Sequence, residues 1–122
     1  MDYLPIFLKV DDRKCLVVGG GKVAARKVAL LNRAGARITT VSPALCDDLH
    51  ALQEDGAIIH VAREFQDEDL NDCVLAIAAT DVKAVNRRVS DLAHAQHIPV
   101  NVVDSPDLCS FIMPSIIERS PV

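Results

Sequence analysis

Short apolar runs alternate along the chain with segments whose apolar positions recur at helical spacing. Residues 5–10 are a candidate first strand. Cys15-Leu16-Val17-Val18 is apolar without interruption, as expected of a strand covered on both faces. Over residues 23–34, Ala24, Val28 and Leu31 fall on one helical face, and Gly35 supplies the stop. Residues 37–41 read as the next strand. Residues 43–54 follow as a helix with proline near its start, ended at Gly56. Residues 58–62 are a further strand, and the acidic stretch 64–72 is a loop or a short helical turn. Residues 74–79 form an apolar strand running into Thr80-Asp81, both good helix caps. Val82, Val85, Val89 and Leu92 mark the helix that follows, and Pro99 ends it. Residues 100–103 are a strand. Phe111-Ile112-Met113 and Ile116-Ile117 give one or two more, antiparallel or hairpin-like.

This order predicts an α/β fold, a doubly wound parallel sheet with helices on both faces. Such sheets bind ligands beyond the carboxyl ends of their strands. Those ends are residues 19–21, 41–44, 79–81 and 104–106, so four glycine-rich or polar clusters share one edge.

The chain has 122 residues, half of them hydrophobic, which supplies one folded core and rules out wholesale disorder. Net charge is −4, which argues against general nucleic-acid binding, and one Tyr, three Phe and no Trp leave little to stack on bases. No apolar run approaches the roughly 18 residues of a membrane span. The N-terminus lacks the basic start of a secretory signal, so the expected location is cytoplasmic. The charge is uneven: residues 1–37 carry +5, residues 38–72 carry −8 and the remainder −1. Solvated helix faces explain this, as does a first third that handles an anion such as phosphate. Cys15, Cys46, Cys73 and Cys109 form no closely spaced pair, so no metal site is expected from them. His94 and His97 read as a polar helix end rather than a metal pair.

Gly19-Gly20-Gly21-Lys22-Val23-Ala24 fits G-x-G-x-x-A between a strand and a helix, the dinucleotide-binding context. Gly19 allows the tight turn, Gly21 lets a diphosphate approach the backbone, and Ala24 lets helix and strand pack closely. The first N–H groups of the helix hold the phosphates. The usual carboxylate for the ribose 2′-OH is absent: the second strand ends Thr40-Val41-Ser42-Pro43. Ser42 either bonds the ribose or caps the helix that follows. Thr80 and Asp81 either line the cofactor site or cap their helix, and the two roles are compatible. Asn101 and Asp104 flank Val102-Val103 at the end of the last parallel strand. Asp104 is a candidate general base, or a turn former in Asp-Ser-Pro.

Taken together, these stretches resemble one family: the dehydrogenase/chelatase domain of siroheme synthase, which also occurs as a stand-alone precorrin-2 dehydrogenase. The resemblance rests on Tyr3-Leu4-Pro5-Ile6-Phe7, the glycine loop with the strand before it, and Ala76-Ile77-Ala78-Ala79-Thr80-Asp81. It rests also on Asn101-Val102-Val103-Asp104 and Ser110-Phe111-Ile112-Met113-Pro114-Ser115-Ile116-Ile117. It implies a Rossmann-type domain that uses NAD to oxidise precorrin-2 to sirohydrochlorin, followed by Fe2+ insertion to give siroheme. It implies Asp104 as the base for both steps. The cofactor would lie at Gly19, Gly20, Gly21, Lys22, Val23, Pro43 and Ala44; Ser42, Thr80, Asp81 and Asn101, from their place at the sheet edge, complete the expected cofactor-binding set. Lys22 and Arg119 are the candidate cations for a polycarboxylate tetrapyrrole. Residues 1–113 are then the NAD-binding domain, and residues 114–122 begin a connection to a dimerisation region not in this sequence. The full-length protein is expected to be a homodimer, and this stretch alone to lack part of the tetrapyrrole pocket.

Two other readings compete. A non-catalytic NAD-sensing regulatory module would share the glycine loop, but usually keeps the acidic residue after the second strand and leaves Asp104 unexplained. A piece of a hydroxy-acid dehydrogenase would want a His or Arg acid–base partner at the sheet edge, and no His occurs there.

Overall fold

The computed structural model describes residues 2–113. Five strands alternate with three helices: β1 (Lys14–Val18), α1 (Lys22–Arg33), β2 (Arg37–Val41), α2 (Asp47–Glu54), β3 (Ile58–Val61), β4 (Leu75–Ala78), α3 (Lys83–Ala95) and β5 (Val100–Val102). Short 3₁₀ turns occupy Asp67–Leu70 and Pro106–Leu108. All strand pairings are parallel, in the order β3-β2-β1-β4-β5. The order reverses between β1 and β4, which is where a doubly wound sheet opens its ligand crevice.

The uninterrupted apolar β1 is explained by burial on both faces. Cys15 and Val17 face a core built with Ala24, Val28 and Leu31 of α1 and Leu49 of α2. Leu16 and Val18 face the opposite core, with Val89 and Ala93 of α3. Ala24 is fully buried, so the small side chain does allow α1 to sit close on the sheet. Gly35 ends α1 at φ +80, a left-handed conformation that favours glycine.

Four expectations are corrected. Residues 5–10 form no strand: no sixth strand joins the sheet among the described residues, and Leu4, Ile6 and Phe7 are exposed. The helix expected from Pro43 begins four residues later, at Asp47, because Ser42 turns the chain by donating its hydroxyl to the Ala44 carbonyl (2.7 Å). Neither Thr80 nor Asp81 caps α3, whose N-cap is Val82 without a side-chain bond. Phe111-Ile112-Met113 is not a strand. Instead, side chains cover the outer edge of β5. The Val100 N–H donates to Ser110 Oγ (2.9 Å), and the Val102 N–H donates to Cys109 Sγ (3.1 Å). These bonds satisfy the amides that a further strand would have used. Ile116-Ile117 and the expected connection at 114–122 lie outside the described residues.

Candidate functional site

One cavity of about 650 Å³ runs along the carboxyl edge of the sheet. Its floor is the turn after β1. Gly19 has φ +136, and a Cβ there would sit 2.5 Å from the Ala79 carbonyl oxygen, so only glycine lets this turn rest on the end of β4. Gly20 is bound to the β2–α2 loop: a Cβ would collide with the Ala44 carbonyl and Ser42 Oγ, while the Cys46 N–H donates to the Gly20 carbonyl (2.7 Å). Gly21 differs. A Cβ there would meet nothing within 4 Å, so the space over it is open. Gly21 is also the N-cap of α1 and has no side chain to bond the first-turn N–H groups. Those amides, the positive end of the helix dipole and the open space make a cradle suited to a diphosphate.

Lys22, Val23, Ser42, Pro43, Ala44, Thr80, Asp81 and Asp104 line the same cavity as Gly19, Gly20 and Gly21. Asn101 does not. It lies mid-strand in β5 opposite Ile77, is 8% exposed, and its Nδ2 donates to the Phe111 carbonyl (3.2 Å). The strand pleat sends it into the core rather than to the edge, and it anchors the segment after Ser110. Arg119 lies outside the described residues.

Ser42 is 7% exposed and spends its hydroxyl proton on Ala44; it shapes the loop under the cavity and caps nothing. Asp104 is exposed at the far end and has φ +61, a left-handed conformation that Asp and Asn tolerate better than most residues. Turn former and cavity-facing carboxylate are therefore one residue. A second cavity of about 450 Å³, reaching Lys83 and Arg87 on α3, shares Thr80, Asp81 and Asp104 with the first.

Two features escape a reading of the sequence alone. Asn86 is 7% exposed on the core stripe of α3 and encloses Thr80. Its Oδ1 accepts from the Thr80 hydroxyl (2.6 Å) and the Thr80 N–H (3.1 Å), and its Nδ2 donates to the Thr80 carbonyl (2.9 Å). The Ala79–Thr80 peptide thus held is the one against which Gly19 packs. The available signal was a polar residue at helical spacing between Val82 and Val89. The second feature is the loop after β3, which brings Glu64 and Phe65 into the cavity wall. Arg63 braces this loop with a two-point bond to Asp69 (2.9 and 2.8 Å), and Asp69 also accepts from the Gln66 N–H (2.8 Å). The Arg63 guanidinium, helped by that backbone bond, holds the Asp69 carboxyl below its ordinary range.

Burial pushes the Cys15 thiol up to about 11, with Cys73 adding to the shift, so Cys15 is a core residue and no nucleophile. No group of three or more His, Cys, Asp or Glu able to hold a metal occurs among the described residues. No helix among them is long and apolar enough to cross a membrane.

Known proteins resemble this chain over its whole length. Siroheme synthase of Thioalkalivibrio sulfidiphilus is 57% identical over 122 residues, covering all of this chain and 25% of that protein. Siroheme synthase of Nitrosospira multiformis is 57% identical over 126 residues, covering all of this chain and 27% of that protein. The chain thus spans about a quarter of the length of these relatives. Among solved structures, SirC, a precorrin-2 dehydrogenase, matches with a TM-score of 0.87 at 25% identity over 98% of this chain and 59% of its own. D-lactate dehydrogenase from Escherichia coli matches with a TM-score of 0.61 at 11% identity over 84% of this chain and 32% of its own, a likeness of fold alone. A family model described as "Putative NAD(P)-binding" matches residues 6–115, and with the glycine cradle at the switch point of a Rossmann-type sheet, the chain belongs to this NAD(P)-binding family.

Proposed function

We propose that this chain is the dehydrogenase part of a siroheme-forming enzyme, which oxidises precorrin-2 to sirohydrochlorin with NAD. The carrying observation is that one cavity has the diphosphate cradle at Gly21 on its floor and the Asp104 carboxylate at its β5 end. The siroheme synthases matched over the whole chain, and the precorrin-2 dehydrogenase of like fold, support the choice of substrate. The sheet edge favours a redox enzyme over a bare sensor, since the Asp104 turn also places a carboxylate on the cavity that holds the cradle.

In this proposal the α1 amides and the loop at Gly19, Gly20, Gly21, Lys22 and Val23 hold the diphosphate. Pro43 and Ala44, on the loop shaped by Ser42, flank the adenosine half. Thr80 and Asp81 border the half nearer β5. When bound, the nicotinamide supplies a hydride acceptor. Removing two hydrogens from precorrin-2 as hydride and proton leaves a proton to be taken, and Asp104 takes it. Insertion of Fe2+ as a second substrate strips two pyrrole protons, which the exposed Asp104 accepts one at a time and releases to water. The four free thiols fit a reducing cytoplasm. The full-length enzyme is a homodimer in this proposal, with residues 1–113 forming the cofactor domain and 114–122 leading on to the dimerising part.

Asp104→Asn in the full-length enzyme tests it. Asn tolerates the left-handed backbone and removes only the base. Oxidation of precorrin-2 should fall by roughly 10²–10⁴, the ordinary contribution of a positioned base, with NAD affinity unchanged. A variant that oxidises precorrin-2 at the wild-type rate would reduce Asp104 to a turn residue.

A further inference from the structure

We propose that Glu64 selects the cofactor, gripping the adenosine ribose and repelling a 2′-phosphate, so that the chain takes NAD and rejects NADP. The inference rests on the reading of Asp104 as the reacting end of the cavity. With that end at β5, the sheet order puts the adenosine at the opposite end, by β2 and β3. Four strand spacings of about 4.8 Å separate the two ends, roughly 19 Å, enough for an extended dinucleotide.

Selectivity for NAD usually comes from a carboxylate ending the second strand. Here β2 ends in Ser42, Pro43 and Ala44, none of them acidic. Strand pairing supplies the replacement. Val41 stands beside Val61, and the Ser42 N–H donates to the Val61 carbonyl (3.2 Å), so the chain leaving β3 runs beside the chain leaving β2. A tight turn follows, with the Arg63 N–H donating back to Val61 (3.0 Å), and it delivers Glu64 and Phe65 to the cavity wall.

The neighbouring Arg63 does not neutralise Glu64. Both terminal nitrogens of Arg63 are committed to Asp69, and toward Glu64 the guanidinium bonds only the backbone carbonyl (3.0 Å). The Glu64 carboxylate makes no ion pair or side-chain hydrogen bond among the described residues, although its loop is braced at Arg63 and Gln66. An unpaired carboxylate on a braced loop at the adenosine end can accept from ribose hydroxyls. It opposes the dianionic 2′-phosphate of NADP. Phe65, half-buried beside it, offers the apolar wall that an adenine ring needs.

The experiment measures NAD and NADP dissociation constants by calorimetry on the full-length protein and its Glu64→Gln variant, at low and high salt. Glu64 is exposed and its carboxylate is unbonded, so the variant keeps its fold, which circular dichroism verifies. Wild type should favour NAD at least tenfold. Glu64→Gln should reduce that preference at least fivefold, mainly by tightening NADP, and salt should narrow the wild-type preference more than the variant's. A wild type that favours NADP, or a Glu64→Gln ratio within twofold of wild type, would overturn the proposal. If folded wild type binds neither nucleotide, the cofactor site itself is misread and Glu64 falls with it. An unchanged ratio with intact NAD binding removes Glu64 alone.

Discussion

Gly20 and Gly21 are neighbours in one motif, yet the structure gives them opposite jobs, and substitution separates these. At Gly20 an added methyl collides with the Ala44 carbonyl and sits 2.5 Å from Ser42 Oγ. That carbonyl cannot retreat cheaply. It accepts the Ser42 hydroxyl, and its loop is tied back by the Cys46 N–H on the Gly20 carbonyl. Gly20→Ala therefore lies at the upper end of overpacking, about 3 kcal/mol, with about 1 kcal/mol more if the Ser42 bond is lost. At Gly21 the backbone (φ −96, ψ −166) is extended, which any residue adopts, and the space is open. The reduced freedom of the unfolded chain contributes about 0.4–1 kcal/mol of stability, offset by the weaker N-cap preference of Ala. Gly21→Ala should thus leave stability within about 1 kcal/mol of wild type.

Binding should behave in the reverse sense. The Gly21 methyl fills the space over the α1 amides, where the diphosphate would lie, and should weaken NAD at least tenfold, or about 1.4 kcal/mol. Urea unfolding and calorimetric titration of the full-length protein measure the two quantities separately. A stable Gly21→Ala protein that binds NAD within twofold of wild type would refute the cradle. A Gly20→Ala protein as stable as wild type would refute the packing account of the loop.

The sheet was legible in the sequence because doubly covered strands leave uninterrupted apolar runs, as in Cys15–Val18 of β1 and in β4, while β2 was legible from its β-branched Ile, Thr and Val. The edge at which the site lies followed from where those runs stop. Three kinds of information were not legible. Side-chain bonds that replace caps or strands have no periodicity, so Ser42 delayed α2 and Ser110 and Cys109 took the place of a sixth strand. Pleat phase at a strand end is lost to a one-residue uncertainty, which is how Asn101 passed for an edge residue while it faces the core. Side-chain contacts with a neighbouring element, near or far in sequence, leave no periodic mark. Asn86 reads as one more polar helical residue until Thr80 is seen folded against it, and Glu64 reads as part of an acidic loop until β3 is paired with β2.

The remaining predictions concern the braces of the site. Asn86→Ala leaves the Thr80 N–H and carbonyl without their partner, while the hydroxyl keeps Val82, and should destabilise by about 1–3 kcal/mol; because Gly19 rests on the same peptide, NAD affinity should fall as well, and calorimetry showing unchanged binding would uncouple the two. The Arg63–Asp69 brace predicts a pH dependence with a definite sign. Asp69 has its carboxyl pKa lowered by the Arg63 hydrogen bonds, so the folded state binds its proton less readily than the unfolded chain does. The stability it contributes is complete above the unfolded value, about 3.9, and is lost as pH falls through the lower folded value. Asp69→Asn should therefore be less stable than wild type at pH 7, and the two unfolding curves should converge as pH drops below about 4. The carboxylate is largely buried against a partly exposed guanidinium, so high salt should narrow the pH 7 gap only in part. A gap that persists undiminished to pH 2 would mean that shape, and not charge, holds the loop bearing Glu64 and Phe65 against the cavity.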